Sequence, residues 1–217
     1  RSSFERALAD FEAALALLPS SMEAIEGRGA AHARLNSYEE AIADYDKVLG
    51  QDPKRVPALI LRAEALLRLA ERERDRGKDP QSLYALAIED ARAALDLKAD
   101  RVDARVLRAE AQLGLAAAAA GRGEDPGGWC ERAALDAEAI LDRDPSHADA
   151  HRIRATAYLY QGKWKASQGK DPSDFYAKAE AALGRLNAAG SAEFGTLRAK
   201  GLLATARGDL LARAGGD

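Results

Sequence analysis

Four aspartates, Asp10, Asp44, Asp90 and Asp136, are each followed 18 residues later by an arginine: Arg28, Arg62, Arg108 and Arg154. Carboxylates and guanidinium groups at fixed spacing can build an acid–base or phosphate-binding site, but such a site is a single constellation and this pattern recurs along the chain. It reads instead as a ladder of structural ion pairs, each Asp facing the Arg 18 residues on. The next position keeps Lys200 as the cation but has Ala182 in place of the acid. Partly buried arginine pairs fix register more than they add stability, because desolvation offsets much of the attraction.

Other chemistry-bearing residues have plainer readings. His147 and His151 stand at the i, i+4 spacing of a helical zinc pair, but only Ala148, Asp149 and Ala150 lie between them, and His32 is far away in sequence. All three are expected to pack or to lie on the surface, with no metal site. The single cysteine, Cys130, forms no internal disulfide and is expected to pack. Gly27 and Gly29 make a G-x-G inside a helical pattern with no strand before it, which excludes a dinucleotide loop. With no P-loop, no nucleophile elbow and no isolated acid pair, the chain reads as a non-enzyme without cofactors.

Composition narrows the partner. Of 217 residues 47% are hydrophobic and 31% charged, and the formal net charge of −3 leaves no basic surplus to neutralise a phosphate backbone. Nucleic acid is excluded as a partner. The longest apolar run, Leu113 to Ala120, is far short of the roughly 20 residues that cross a bilayer, so no membrane partner is expected either. Lone Cys130 fits a reducing, cytoplasmic compartment. The chain begins at Arg1 and enters a helical pattern at once, which reads as a piece of a longer protein.

The elements that must position these residues follow from punctuation. Arg76-Gly77-Lys78-Asp79-Pro80, Arg122-Gly123-Glu124-Asp125-Pro126 and Gln168-Gly169-Lys170-Asp171-Pro172 recur every 46 residues. In each, Gly supplies a left-handed helix stop, Asp caps the next helix and Pro takes its first position. A shorter turn stands at Asn36-Ser37, where Ser37 and Glu40 have capping-box spacing, as do Ser20 and Glu23. The spacing predicts ten helices: 3–17, 21–35, 38–50, 55–76, 80–97, 101–121, 127–142, 147–167, 173–187 and 192–213. No segment alternates with the period of a strand.

The shorter unit, Pro19 to Pro53, is 34 residues long and resembles the tetratricopeptide repeat. Ile25, Arg28, Gly29, His32, Ala41, Tyr45 and Pro53 fall at that family's spacing. Later copies keep its small positions at Ala63 and Ala87, Ala109 and Ala133, and Ala155 and Ala179. Ala7, Phe11 and Pro19 mark an unpaired second helix, and Gly201 an unpaired first one. The resemblance implies an all-α, right-handed superhelical solenoid of antiparallel helix pairs. It would form one array over 1–217: an unpaired second helix at 1–19, repeats at 20–53, 54–99, 100–145 and 146–190, and a C-terminal capping helix at 191–217. Three copies carry about twelve extra residues at the inner turn. Six on each helix would lengthen each by roughly 9 Å into a ridge. Trp129 and Trp164 fall in these lengthened hairpins, as packing or as a second contact site.

In proteins of this kind the inner stripe of each first helix lines a concave groove. Here the stripe begins Glu23, Glu26, Ala30, Ala33, then Pro57, Ile60, Glu64, Leu67; it continues Asp103, Val106, Glu110, Leu113, then Asp149, Arg152, Thr156, Leu159, with Tyr160 alongside. The groove residues implied are Ile60, Glu64, Leu67, Val106, Glu110, Leu113, Arg152, Thr156 and Tyr160. Apolar positions beside acids suit an extended or helical partner with apolar anchors and some basic charge. The acids at 64 and 110 do not fit the family's clamp for a C-terminal carboxylate. The resemblance thus implies a non-catalytic scaffold for a protein or peptide. Its alternative is a regulatory or self-assembly segment of a larger signalling enzyme, such as a bacterial serine/threonine kinase, associating through its terminal helices.

Overall fold

The computed structural model describes residues 3–188 and positions 201, 204 and 205. The chain divides into two compact units, Arg1–Ala111 and Gln112–Asp217. In the first, α1 (Ser3–Leu17), α2 (Met22–Arg34), α3 (Tyr38–Gln51), α4 (Val56–Asp75) and α5 (Gln81–Leu97) pack in chain order, each on the next, and α2 also touches α4. Helix α6 (Val102–Gly121) begins there. In the second, α8 (Ala148–Ser167) packs between α7 (Gly127–Leu141) and α9 (Ser173–Ala188). These nine helices match the expected ones to within a residue or two, and no strand occurs among the described residues. The expected helix over 192–213, with Lys200, lies almost wholly outside the described residues.

The inner turns share one geometry. Gly77, Gly123 and Gly169 have φ of 77°, 75° and 71°, and Asn36 takes the same left-handed conformation at 61°. At each, the next residue's N–H reaches back five residues: Lys78 to Glu73 O, Glu124 to Ala119 O, Lys170 to Lys165 O and Ser37 to His32 O, at 2.9–3.0 Å. This is the Schellman closure, which satisfies the carbonyls a helix end leaves open. The following cap differs from expectation by one position. Asp79, Asp125 and Asp171 accept from the N–H of Gln81, Gly127 and Ser173 at 3.0, 2.8 and 2.9 Å. The prolines sit at the cap itself, where the carbonyls of Pro80, Pro126 and Pro172 take the first helical hydrogen bond. The capping boxes do not form as expected: Ser37 makes no side-chain cap bond, and Ser21 rather than Ser20 caps α2, accepting from Ala24 N.

The twelve extra residues are not shared equally. Helix α4 has 20 residues against 13 in α2, whereas α5 has 17 against 14 in α3, so most of the insertion lengthens the first helix, by roughly 10 Å. The extension has work at its end. Arg72 donates to Asn36 O at 3.2 Å, pairs with Glu39 and lies 5.5 Å from the Tyr38 ring centroid, so the end of α4 straps the short turn of the preceding hairpin.

Small residues let the helices approach. Ala58, Ala63, Ala87, Ala91 and Ala94 in the first unit and Ala133, Ala137, Ala155 and Ala179 in the second are fully buried. Two glycines allow a tyrosine closer still. A Cβ on Gly29 would lie 2.8 Å from Tyr45 Cε1, and one on Gly162 would lie 2.5 Å from Tyr176 Cε1.

Candidate functional site

In the two hairpins α2–α3 and α4–α5 the ion pair forms inside the hairpin, not across the turn between hairpins. Arg28 on α2 grips Asp44 on α3 through Nε at 2.8 Å and Nη2 at 2.6 Å. Arg62 on α4 grips Asp90 on α5 with the same two nitrogens at the same distances. The expected partners, Asp10 with Arg28 and Asp44 with Arg62, are therefore corrected: Arg28 and Arg62 each take the Asp that follows. Arg28 and Asp44 stand equally far from the inner turn, as Asp44 and Arg62 do from the outer one, so height alone does not choose between the two neighbours. Asp10 is exposed. In the second unit Asp136 is buried, and Arg154 approaches His151 Nδ1 at 3.4 Å. Arg108 is half-buried in the first.

Two cations hold the Asp44 carboxyl below its ordinary range: burial pushes it up, but Arg28 and Lys47, the latter at 3.2 Å, outweigh that. Asp90 goes the other way. Burial raises it despite Arg62, which also serves Asp46 at 2.6 Å, and the charges of Asp46 and Glu89 add to the rise.

The remaining chemistry-bearing residues are engaged in packing. Burial pushes the Cys130 thiol up to about 12, so it is no nucleophile at neutral pH. His147 caps α8 by accepting from Ala150 N at 3.4 Å. His151 meets Pro145 O at 2.8 Å through Nε2, which therefore carries the proton and leaves Nδ1 to accept from Arg154. Trp129 carries Arg132 over its ring at 4.8 Å, and Trp164 is half-buried.

The first-helix stripe divides by exposure. In the first unit Glu23 and Glu64 are exposed, and Val106 and Glu110 are half-buried. Ile60 and Leu67, at 8% and 1%, belong to the core, as do Leu113 and Leu159 of the second unit at 7% and 0%. Helix α4 packs against α2, α3 and α5, so its apolar face is wider than one flank and takes in Ile60 and Leu67. In the second unit Arg152, Thr156 and Tyr160 are half-buried. Arg152 pairs with Asp149 at 2.8 Å, and Thr156 donates to Arg152 O. Sequence reasoning missed Arg55, at the start of α4, which holds Glu26 at 2.6 Å and Glu23 at 3.8 Å. An arginine 29 residues from its partner carries no local signal.

The tetratricopeptide repeat family model matches residues 1–56 and 127–167. Both stretches are tetratricopeptide repeats. Solved structures agree on the fold. YrrB, described as a tetratricopeptide repeat protein with an unusual peptide-binding site, superposes with a TM-score of 0.58 at 22% identity, over 91% of this chain and 83% of its own. MamA from Desulfovibrio magneticus RS-1 gives 0.59 at 19% identity, over 84% and 86%. TTC0263, a tetratricopeptide repeat protein of Thermus thermophilus, gives 0.55 at 16%, over 94% and 90%. No curated protein matches the sequence well enough to be a relative. In repeat terms, the lengthened hairpins keep the shared positions and place their insertion where the two helices meet.

Proposed function

We propose that this chain is a non-catalytic scaffold whose first-helix faces bind a protein segment bearing basic side chains. The observation that carries this reading is Glu64, an exposed carboxylate on α4 with no ion-pair partner among the described residues. Glu23, three-quarters exposed, extends the acidic face on α2. Helical repeats suit long contact surfaces, and the peptide-binding site named for YrrB supports the reading. With Ile60, Leu67 and Leu113 in the core, charge contributes more to partner choice than apolar anchors do. Long-range steering of a basic segment follows, and with it weaker binding at high salt.

The test is fluorescence anisotropy with labelled helical peptides, one lysine-rich and one with glutamate at the same positions. The lysine-rich peptide should bind the wild type, with an affinity that falls as salt rises, and should be lost on Glu64→Lys with Glu110→Lys while circular dichroism stays unchanged. Equal binding of the two peptides, or binding that survives the double substitution, would reject this face.

A further inference from the structure

Two buried oxygens and one exposed carboxylate on the α2–α4 side of the first unit lack hydrogen-bond partners among the described residues. Glu26 gives its Oε2 to Arg55, which donates through Nε at 3.0 Å and Nη2 at 2.6 Å, while its Oε1 is buried and unpartnered. Tyr45, 0% exposed, lays its ring edge on Gly29 and has a buried hydroxyl that is also unpartnered. Glu64 is the free, exposed carboxylate of α4.

The Tyr45 ring lies on Gly29, one helical turn from Glu26. Helices α2 and α4 touch, and Tyr45 lies in a cluster with Ala65, the neighbour of Glu64, and with Ala33 of α2. The phenol is pushed up by burial and then by the charges of Glu64 and Glu26, so it senses both carboxylates and stays protonated. A buried hydroxyl without a partner is costly, and phenylalanine would fill the same volume without that cost. Packing accounts for the ring but not for its oxygen.

We propose that Glu26 Oε1, the Glu64 carboxylate and Tyr45 Oη form a seat for one primary ammonium group, the side chain of a lysine on the bound segment. Three acceptors match the three N–H donors of an ammonium. Arg55 offsets part of the charge of Glu26, and the charges of Arg68 and Arg34 reach Glu64 and Tyr45, so it is the set of acceptors rather than net charge that selects the ligand. The assignment to a partner's lysine rests on the first-helix reading above, whereas the seat itself does not.

The probe is n-butylammonium chloride, titrated into the full chain and followed by amide NMR shifts at Gly29, Ala30 and Ala65. Saturable shifts are expected, about tenfold weaker for Tyr45→Phe, as for loss of one hydrogen bond to a charged group, and absent for Glu64→Gln. Without ligand, Tyr45→Phe should melt at the same temperature as the wild type or higher, which a purely structural hydroxyl would not allow. The seat is overturned by a lack of saturable shifts, meaning that water alone fills it, or by equal affinity in the two variants. Equal binding of n-propylguanidinium would overturn the ammonium assignment. Lysine-peptide binding that survives Tyr45→Phe unchanged would remove the seat and leave the first-helix face standing. Butylammonium binding with no peptide binding would do the reverse.

Discussion

The hairpin of α2 and α3 and the hairpin of α4 and α5 meet the same packing demand with different residues. Both close on a Schellman turn and both carry an Arg–Asp bridge with matching distances, yet partner spacing grows from 16 to 28 residues. The inserted residues therefore lie wholly between Arg62 and Asp90 and leave the bridge where it was. The interiors differ. At one register position the short hairpin sets Gly29 against Tyr45, where the long one has Ala63 and Ala91, all but Gly29 being fully buried hydrophobics of the core. The tyrosine of the long hairpin sits elsewhere, at Tyr84, buried to 1%, while its short-hairpin counterpart Tyr38 is half-buried beneath Arg72. A repeat thus holds its polar register fixed and redistributes volume around it.

Removing the carboxylates should break the comparison most. Asp44→Ala leaves the half-buried Arg28 without its acceptor and should cost about 2 kcal/mol in urea unfolding. Asp90→Ala should cost about half that, since Arg62 keeps Asp46 and burial already disfavours the lost charge. Equal losses would show that the second cation on Asp44 contributes nothing.

Gly29→Ala should cost about 2 kcal/mol by forcing a Cβ into the Tyr45 ring, and Gly29→Ala with Tyr45→Phe should recover little, because Cε1 and Cζ remain. Ala63→Gly in the long hairpin should cost only about 1 kcal/mol through helix propensity. Gly77→Ala should also cost about 1 kcal/mol, since φ of 77° strains any Cβ, whereas Asn36→Gly should be close to neutral because glycine adopts that turn freely.

Acid sharpens the contrast between the bridges. The lowered pKa of Asp44 gives stability that is present above its ordinary 3.8 and is lost as pH falls through the folded value. Asp90, raised above 3.8, does the opposite: its contribution is fullest when protonated and is lost as pH rises through the folded value. The gap between wild type and Asp44→Ala should close on acidification, while that for Asp90→Ala should widen. Two gaps moving together in pH-dependent melts would refute the assignment. The smallest effect belongs to exposed Asp10, where Asp10→Ala should change stability by less than about 0.5 kcal/mol.

The helices were legible because their punctuation is local: a Gly or Asn stop and an Asp-Pro start lie within five residues of each other. The direction of the Arg–Asp pairing was not. A constant 18-residue step from Asp to Arg means only that no insertion falls between them, and it says nothing about which neighbour the guanidinium turns to. The burial of Ile60 and Leu67 was hidden for a related reason, since the three–four stripe of a helix packed on several sides looks the same on its wet and dry flanks. The Tyr45 hydroxyl could have been suspected from a tyrosine standing where later copies hold Ala91 and Ala137.

Both tryptophans, Trp129 and Trp164, lie in the unit that begins at Gln112. Red-edge-excited emission is therefore a private channel for that unit, silent about the bridges at Asp44 and Asp90. Set beside helical ellipticity, which sums both units, it tells at once whether a melt is one cooperative event or two.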